Sequence, residues 1–149
     1  MKTSIDSRAR GTYILFIEII HGVRTEVGVL GLLEFPQGFY AYCGSAMGGL
    51  EARINRHLRR KKKIRWHVDY LLEKGRVRGV LFAVTNERLE CRLAEGLGNV
   101  FNTYAGFGSS DCHCPSHLVF SEELPALQEK AHEVFKGLLQ GEELISEEY

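Results

Sequence analysis

The stretch YCGSAMGGLEARINRHL, residues 42–58, decides the fold of this chain. It opens as the end of a β-strand, 39–43 (FYAYC), built from aromatic and small apolar residues. Gly44 to Gly49 then form a flexible loop, with glycine at 44, 48 and 49. From Leu50 the period becomes helical, because Leu50, Ile54 and Leu58 recur at i, i+4 and i+8. Arg53 and His57 are also four apart and share a face beside that apolar stripe. Such a helix packs its leucines on a sheet and presents a cation and an imidazole along one edge.

The rest of the chain extends this pattern. Residues 12–20 (TYILFIEII) are β-branched and aromatic and read as a strand, with 26–33 (EVGVLGLL) as its hairpin partner. Pro36-Gln37-Gly38 is a turn. The helix from Leu50 runs into a basic stretch, and a short helix follows over 66–73, ended by Gly75. Residues 78–84 (RGVLFAV) are a strand. Thr85 and Asn86 offer caps for a helix to about Leu97, with Leu89, Leu93 and Leu97 as its apolar stripe. Residues 105–116 are a loop, and 117–120 a short edge strand. Ser121 can cap a last helix over about 122–140, whose Leu124, Leu127, Ala131, Val134, Phe135 and Leu138 form one face. There is no internal repeat, no low-complexity segment and no linker. The order β-β-β-α-α-β-α-(β)-α predicts one small α+β domain, a central antiparallel sheet flanked by helices.

Composition bounds the function classes. The 149 residues are 44% hydrophobic and 26% charged, enough apolar material for one core. No apolar run reaches the length of a membrane span. The first residues lack an apolar signal core, which points to the cytoplasm, where the four cysteines stay reduced or hold metal. The net charge is zero, yet Arg59, Arg60, Lys61, Lys62, Lys63 and Arg65 crowd six cations into seven positions, preceded by Arg53 and Arg56. Acid gathers at the other end, at Glu142, Glu143, Glu147 and Glu148. That asymmetry fits a basic face for polyanions, or simply a solvated loop.

The segment Tyr42-Cys43-Gly44-Ser45-Ala46, then Leu50, Arg53 and His57, resembles the GIY-YIG nucleases, with Gly11-Thr12-Tyr13 as the first tripeptide. The likeness covers roughly residues 11–100. It is nearest to an archaeal and bacterial branch that occurs alone or fused to endonuclease III-type repair proteins. Trp66–Leu72, Glu90–Ala94 and Gly106–Leu118 match segments of that branch. The resemblance implies one GIY-YIG-like domain with its core at about 11–120; residues after about Glu122 lie outside it, and the acidic tail at 141–149 is expected to be disordered. It implies that Tyr13 and Tyr42 lie side by side on neighbouring strands, one acting as general base. Arg53 would bind the scissile phosphate, and His57 would hold or relay a proton. Thr12 and Cys43 depart from the isoleucines of the family name, and they are expected to affect packing more than chemistry.

Nucleases of this kind hold one Mg²⁺ or Mn²⁺ through a glutamate on a later helix, and two candidates exist here. At about 100° per residue, Glu90 lies about 60° from the centre of the leucine stripe and Glu95 about 160° away. A metal ligand must face the sheet, so Glu90 is preferred over Glu95. Cys112-His113-Cys114-Pro115-Ser116-His117 packs four soft ligands into six residues, and Cys91 is a candidate neighbour. Cys91, Cys112, Cys114 and His117 read as a zinc or structural cluster, as reduced core cysteines, or as a redox pair of Cys91 with Cys112 or Cys114. Asp111 and His117 are alternatives for the active-site rim. His67, Asp69 and Tyr70 read chiefly as packing with Trp66 and Leu71.

The resulting expectation is a metal-dependent DNA endonuclease, structure- or lesion-directed and working in repair, with Arg56, Arg59, Arg60, Lys61, Lys62, Lys63 and Arg65 meeting DNA and a separate repair protein supplying the target. The rival is a nucleic-acid-binding or adaptor domain that kept the fold and lost the reaction. A third class is an interaction protein that docks through its C-terminal helix.

Overall fold

The computed structural model describes residues 6–109 and 114–149. Among them, the element order is β1 (Gly11–Ile19), β2 (Val23–Glu26), β3 (Leu32–Phe35), β4 (Gly38–Ala46), α1 (Leu50–Leu58), α2 (His67–Lys74), β5 (Arg76–Val84), α3 (Glu90–Gly98), β6 (Asn102–Thr103), β7 (Leu118–Ser121), α4 (Leu124–Leu138) and β8 (Ile145–Glu148). Six strands form one antiparallel sheet in the order β6-β7-β4-β1-β5-β8. The expected α+β architecture, a central antiparallel sheet flanked by helices, is what the chain adopts. No helix among the described residues is long and apolar enough to cross a membrane.

β1 lies in the middle and is buried on both faces, which explains its unbroken apolar run. Alternate residues serve two cores. Tyr13, Leu15, Ile17 and Ile19 face Leu50 and Ile54 of α1 and Val68, Leu71 and Leu72 of α2. Ile14 and Phe16, with Ala41, Cys43, Leu81 and Ala83, face the stripes of α3 and α4, Leu89, Leu93 and Leu97 against Leu127, Ala131 and Phe135. The molecule is thus a sheet with α1 and α2 on one side and α3 and α4 on the other.

Five expectations are corrected. The strand expected at the edge over 117–120, β7, lies instead between β6 and β4. Residues 26–33 do not pair with β1, whose partners are β4 and β5. Gly28 and Gly31 take positive φ (49° and 77°) and break that run at a 3-10 turn, so β2 and β3 pair with each other as a separate two-stranded sheet. The basic stretch does not continue α1, which ends at Leu58 with Arg59 extended. Lys62 Nζ donates to the carbonyls of His57 and Arg59 and closes the helix end. Thr85 and Asn86 do not start α3. Thr85 Oγ1 accepts the Glu87 N–H and Thr12 Oγ1 accepts the Leu89 N–H, which holds 85–89 as a turn until the helix begins at Glu90. Finally, the tail is ordered structure: β8 covers the edge of β5, and Ile145 and Tyr149 pack on the core. Ser121 sits one turn ahead of α4, its hydroxyl accepting the Glu123 N–H.

Candidate active site

The register of β1 against β4 sets Gly11 opposite Ala46, Tyr13 opposite Gly44 and Leu15 opposite Tyr42. Tyr13 and Tyr42 therefore project from the same face of adjacent strands, diagonally related. Both glycines of the tripeptides are required by close approach. A Cβ on Gly44 would lie 2.5 Å from Tyr13 Cζ and Oη, so only glycine lets the Tyr13 ring lie across β4. A Cβ on Gly11 would strike the Ala83 carbonyl and come within 2.8 Å of Leu50 Cδ2.

α1 lies over this face. His57, 2% exposed, brings its Nε2 to 2.7 Å from Tyr13 Oη. Its Nδ1 is buried with no hydrogen-bond partner among the described residues. Burial lowers the imidazole's pKa to about 3; Asp69 opposes, while Arg53, Arg56 and Lys62 add to the lowering, so the ring is neutral at pH 7. Burial raises Tyr13 to about 12, against the pull of Arg53, and pushes Tyr42 well above the ordinary phenol range.

Arg53 leaves α1 one turn earlier. Its Nη1 donates to the Ser45 carbonyl at 3.3 Å, and its guanidinium lies 4.4 Å from the centre of the Trp66 ring. Arg56 and Arg65 approach the same indole at 4.3 and 4.8 Å. α2 is fixed by Asp69, 1% exposed, whose carboxylate accepts two bonds from Arg56 and the N–H groups of Arg65 and Trp66. Burial alone would raise this carboxyl, but those donors outweigh it and hold it below the usual carboxylate range.

α3 supplies the acid. Ser45 Oγ donates to Glu90 Oε2, and Thr12 Oγ1 lies 2.8 Å from Ser45 Oγ. Since Thr12 also anchors Leu89 and Glu87, the middle residue of the first tripeptide fixes where α3 begins and where Glu90 points. Thr12 was expected to matter for packing; it positions a carboxylate instead. Cys43 does pack, buried on the opposite face of the sheet.

These parts enclose a cleft of about 720 Å³ lined by Tyr42, Gly44, Ser45, Arg53, Arg65, Trp66, His67, Arg88, Glu90, Cys91, Gly108 and His117. Of the sequence candidates, Tyr42, Arg53 and Glu90 line it. Neither Tyr13 nor His57 lines it; the two are bonded to each other behind its wall. Glu95 is exposed and does not line the cleft. His67, read as packing, lines it, and its Nδ1 accepts the Gly108 N–H at 2.8 Å. Gly108, at φ +71°, lies on Tyr42, where a Cβ would come within 2.8 Å of Cε1. Arg88 and the role of Ser45 were missed in the sequence. Ser45's place directly after Tyr42-Cys43-Gly44 is the signal that pointed to it.

The basic residues divide. Arg56 is committed to Asp69 and the Lys63 carbonyl, and Lys62 to the end of α1. Arg59, Arg60, Lys61, Lys63 and Arg65 are exposed. A second cleft of about 610 Å³ is lined by Arg56, Arg59, Lys61, Lys62, Lys63, Ile64 and Arg65, and Arg65 borders both clefts.

At the far wall, Cys91 Sγ lies 3.4 Å from His117 Nε2, and the ligand atoms of Cys91, Cys114 and His117 all fall within 4.8 Å of one another. This cluster can hold a metal ion. Cys112 and Asp111 lie outside the described residues.

Against known families, the chain matches one model, DUF123, a domain of unknown function, over residues 12–140. No curated protein and no solved structure matches it.

Proposed function

The chain belongs to the DUF123 family, a domain of unknown function in the GIY-YIG-like, nuclease-related group, and from that membership and its cleft we propose that it is a metal-dependent DNA endonuclease that hydrolyses phosphodiester bonds. In this reading it belongs to the repair-associated GIY-YIG branch, cuts branched, nicked or damaged DNA, and is brought to its target by a repair protein. One observation carries it: Tyr42 from β4, Arg53 from α1 and Glu90 from α3 line a single cleft, with the Tyr13–His57 pair directly behind.

Each group has work that its setting suits. Arg53, stacked on Trp66 and tied to the Ser45 carbonyl, presents a fixed cation to a phosphate. Tyr42 is the phenol that lines the cleft, and it stands as proton acceptor for the attacking water. Burial makes its proton hard to remove, and Arg53 is a positive charge that opposes this. His57, neutral, orients Tyr13 from behind. Glu90 offers a carboxylate oxygen held by Ser45, and one carboxylate completed by water and phosphate oxygens is a donor set that Mg²⁺ or Mn²⁺ accepts. Such an ion supplies Lewis-acid stabilisation of charge on the phosphate. The exposed cations of the second cleft, continuous through Arg65, give the flanking backbone a track.

The test is cleavage of nicked, branched and abasic duplexes with Mg²⁺ or Mn²⁺. Tyr42→Phe, Arg53→Ala and Glu90→Gln should each lower the rate by roughly 100-fold or more, the scale of losing one transition-state contact. No cutting by the wild-type chain on this panel, with tight salt-dependent binding retained, would replace this reading with the adaptor.

A further inference from the structure

We propose that Cys91, Cys114 and His117 form a second, soft-metal centre that takes zinc, distinct from the oxygen site at Glu90. Two thiols and one imidazole are the donor set that selects Zn²⁺ over Mg²⁺, because sulfur and nitrogen are too soft for the harder ion. The spacing is that of a zinc polyhedron. With Zn–S about 2.3 Å and Zn–N about 2.05 Å, a regular tetrahedron has an S···N edge of about 3.6 Å and an S···S edge of about 3.8 Å. Cys91 Sγ to His117 Nε2 is already 3.4 Å, and Cys114 lies within 4.8 Å of both ligand atoms, so a movement of about 1.2 Å at most closes the triangle.

The backbone holds this geometry from three directions. Cys91 rides on the first turn of α3, next to Glu90. His117 is fixed on both sides, its N–H donating to the Phe107 carbonyl at 2.8 Å and its carbonyl accepting the Cys43 N–H at 2.9 Å. The turn that carries Cys114 is tied by the Gly106 N–H to the Pro115 carbonyl at 2.7 Å. A metal here staples α3, the start of β7 and the loop that lies on Tyr42. Cys91 and His117 line the cleft, so the centre borders it. Binding releases the thiol protons to solvent, so affinity rises with pH.

The test uses the full chain, reduced and stripped of metal, titrated with CoCl₂ and then ZnCl₂. The expected result is one cobalt per chain, with a sulfur-to-cobalt charge-transfer band and tetrahedral visible bands that zinc bleaches and excess Mg²⁺ does not. Cys91→Ser and Cys114→Ser should each weaken the charge-transfer band and lower zinc affinity by more than the roughly 10- to 100-fold that outer-shell losses cost. A pale octahedral spectrum without charge transfer, a Cys91–Cys114 disulfide that forms in place of metal uptake, or a band unchanged in both serine variants would overturn the proposal. The wild-type spectrum decides even if the variants fail to fold. It is read without DNA, so its failure leaves the endonuclease reading intact, and a failure of cleavage leaves this site intact.

Discussion

Charging His57 puts a cation into the core where, among the described residues, nothing receives its Nδ1 proton, and acid should therefore destabilise this chain through that residue. The imidazole binds a proton at about 6.5 when unfolded and at about 3 when folded. Between those values the unfolded chain holds more protons, so stability falls as pH drops. At pH 7.5 both forms are neutral and the residue contributes almost no pH dependence. At pH 5.0 the unfolded form is mostly charged, and the linkage integral gives a loss of about 2 kcal/mol; any folded value below about 4 gives the same figure. His67 and His117 titrate as well, so the effect must be isolated by difference. Gln at position 57 keeps a hydrogen-bonding group for Tyr13 and cannot titrate. Urea unfolding followed by Trp66, the single tryptophan, at pH 7.5 and 5.0 supplies the four stabilities. Wild type should lose about 2 kcal/mol more than His57→Gln between the two pH values. Equal losses, within about 0.5 kcal/mol, would mean that His57 is not held neutral by burial, and would refute the reasoning.

Three further outcomes follow from packing and charge. Gly11→Ala and Gly44→Ala should each destabilise by about 1–3 kcal/mol by overpacking, whereas Gly137→Ala on α4, with nothing within 4 Å, should stabilise by up to about 1 kcal/mol; thermal or urea unfolding reads all three. Asp69→Asn should cost about 3–5 kcal/mol at pH 7, because it strips Arg56 of a buried partner, and in wild type this contribution should fade only as pH drops below the ordinary carboxylate range. Neutralising the exposed Arg59, Arg60 and Lys61 should flatten the salt dependence of duplex DNA binding by about 2.7 in log–log slope if all three meet phosphate, with stability unchanged; an unaltered slope would assign them to solvent.

Much of this was legible in the linear chain. Burial leaves a periodic mark: the apolar run of β1 showed a strand, and Leu50, Ile54 and Leu58 showed which side of α1 packs and that Arg53 lies beside it, while His57, expected along the same edge, is buried. The leucine stripe of α3 likewise placed Glu90 nearer the sheet than Glu95. Other features left no mark within a short window. Arg56 and Lys62 look like their neighbours in the basic run, yet one is spent on Asp69 and the other on the end of α1. The tail reads as acidic and loose, but β5 offers it an open edge. Thr12, Ser45 and Glu90 are 33 and 45 residues apart in sequence and meet through hydroxyls. Sequence by itself determined which faces are apolar and which side chains are candidates for chemistry, because periodicity and residue type are local properties. Which cations remain exposed, which phenol lines the cleft and which cysteines approach His117 were decided only by the tertiary structure, because those depend on which distant backbones pair.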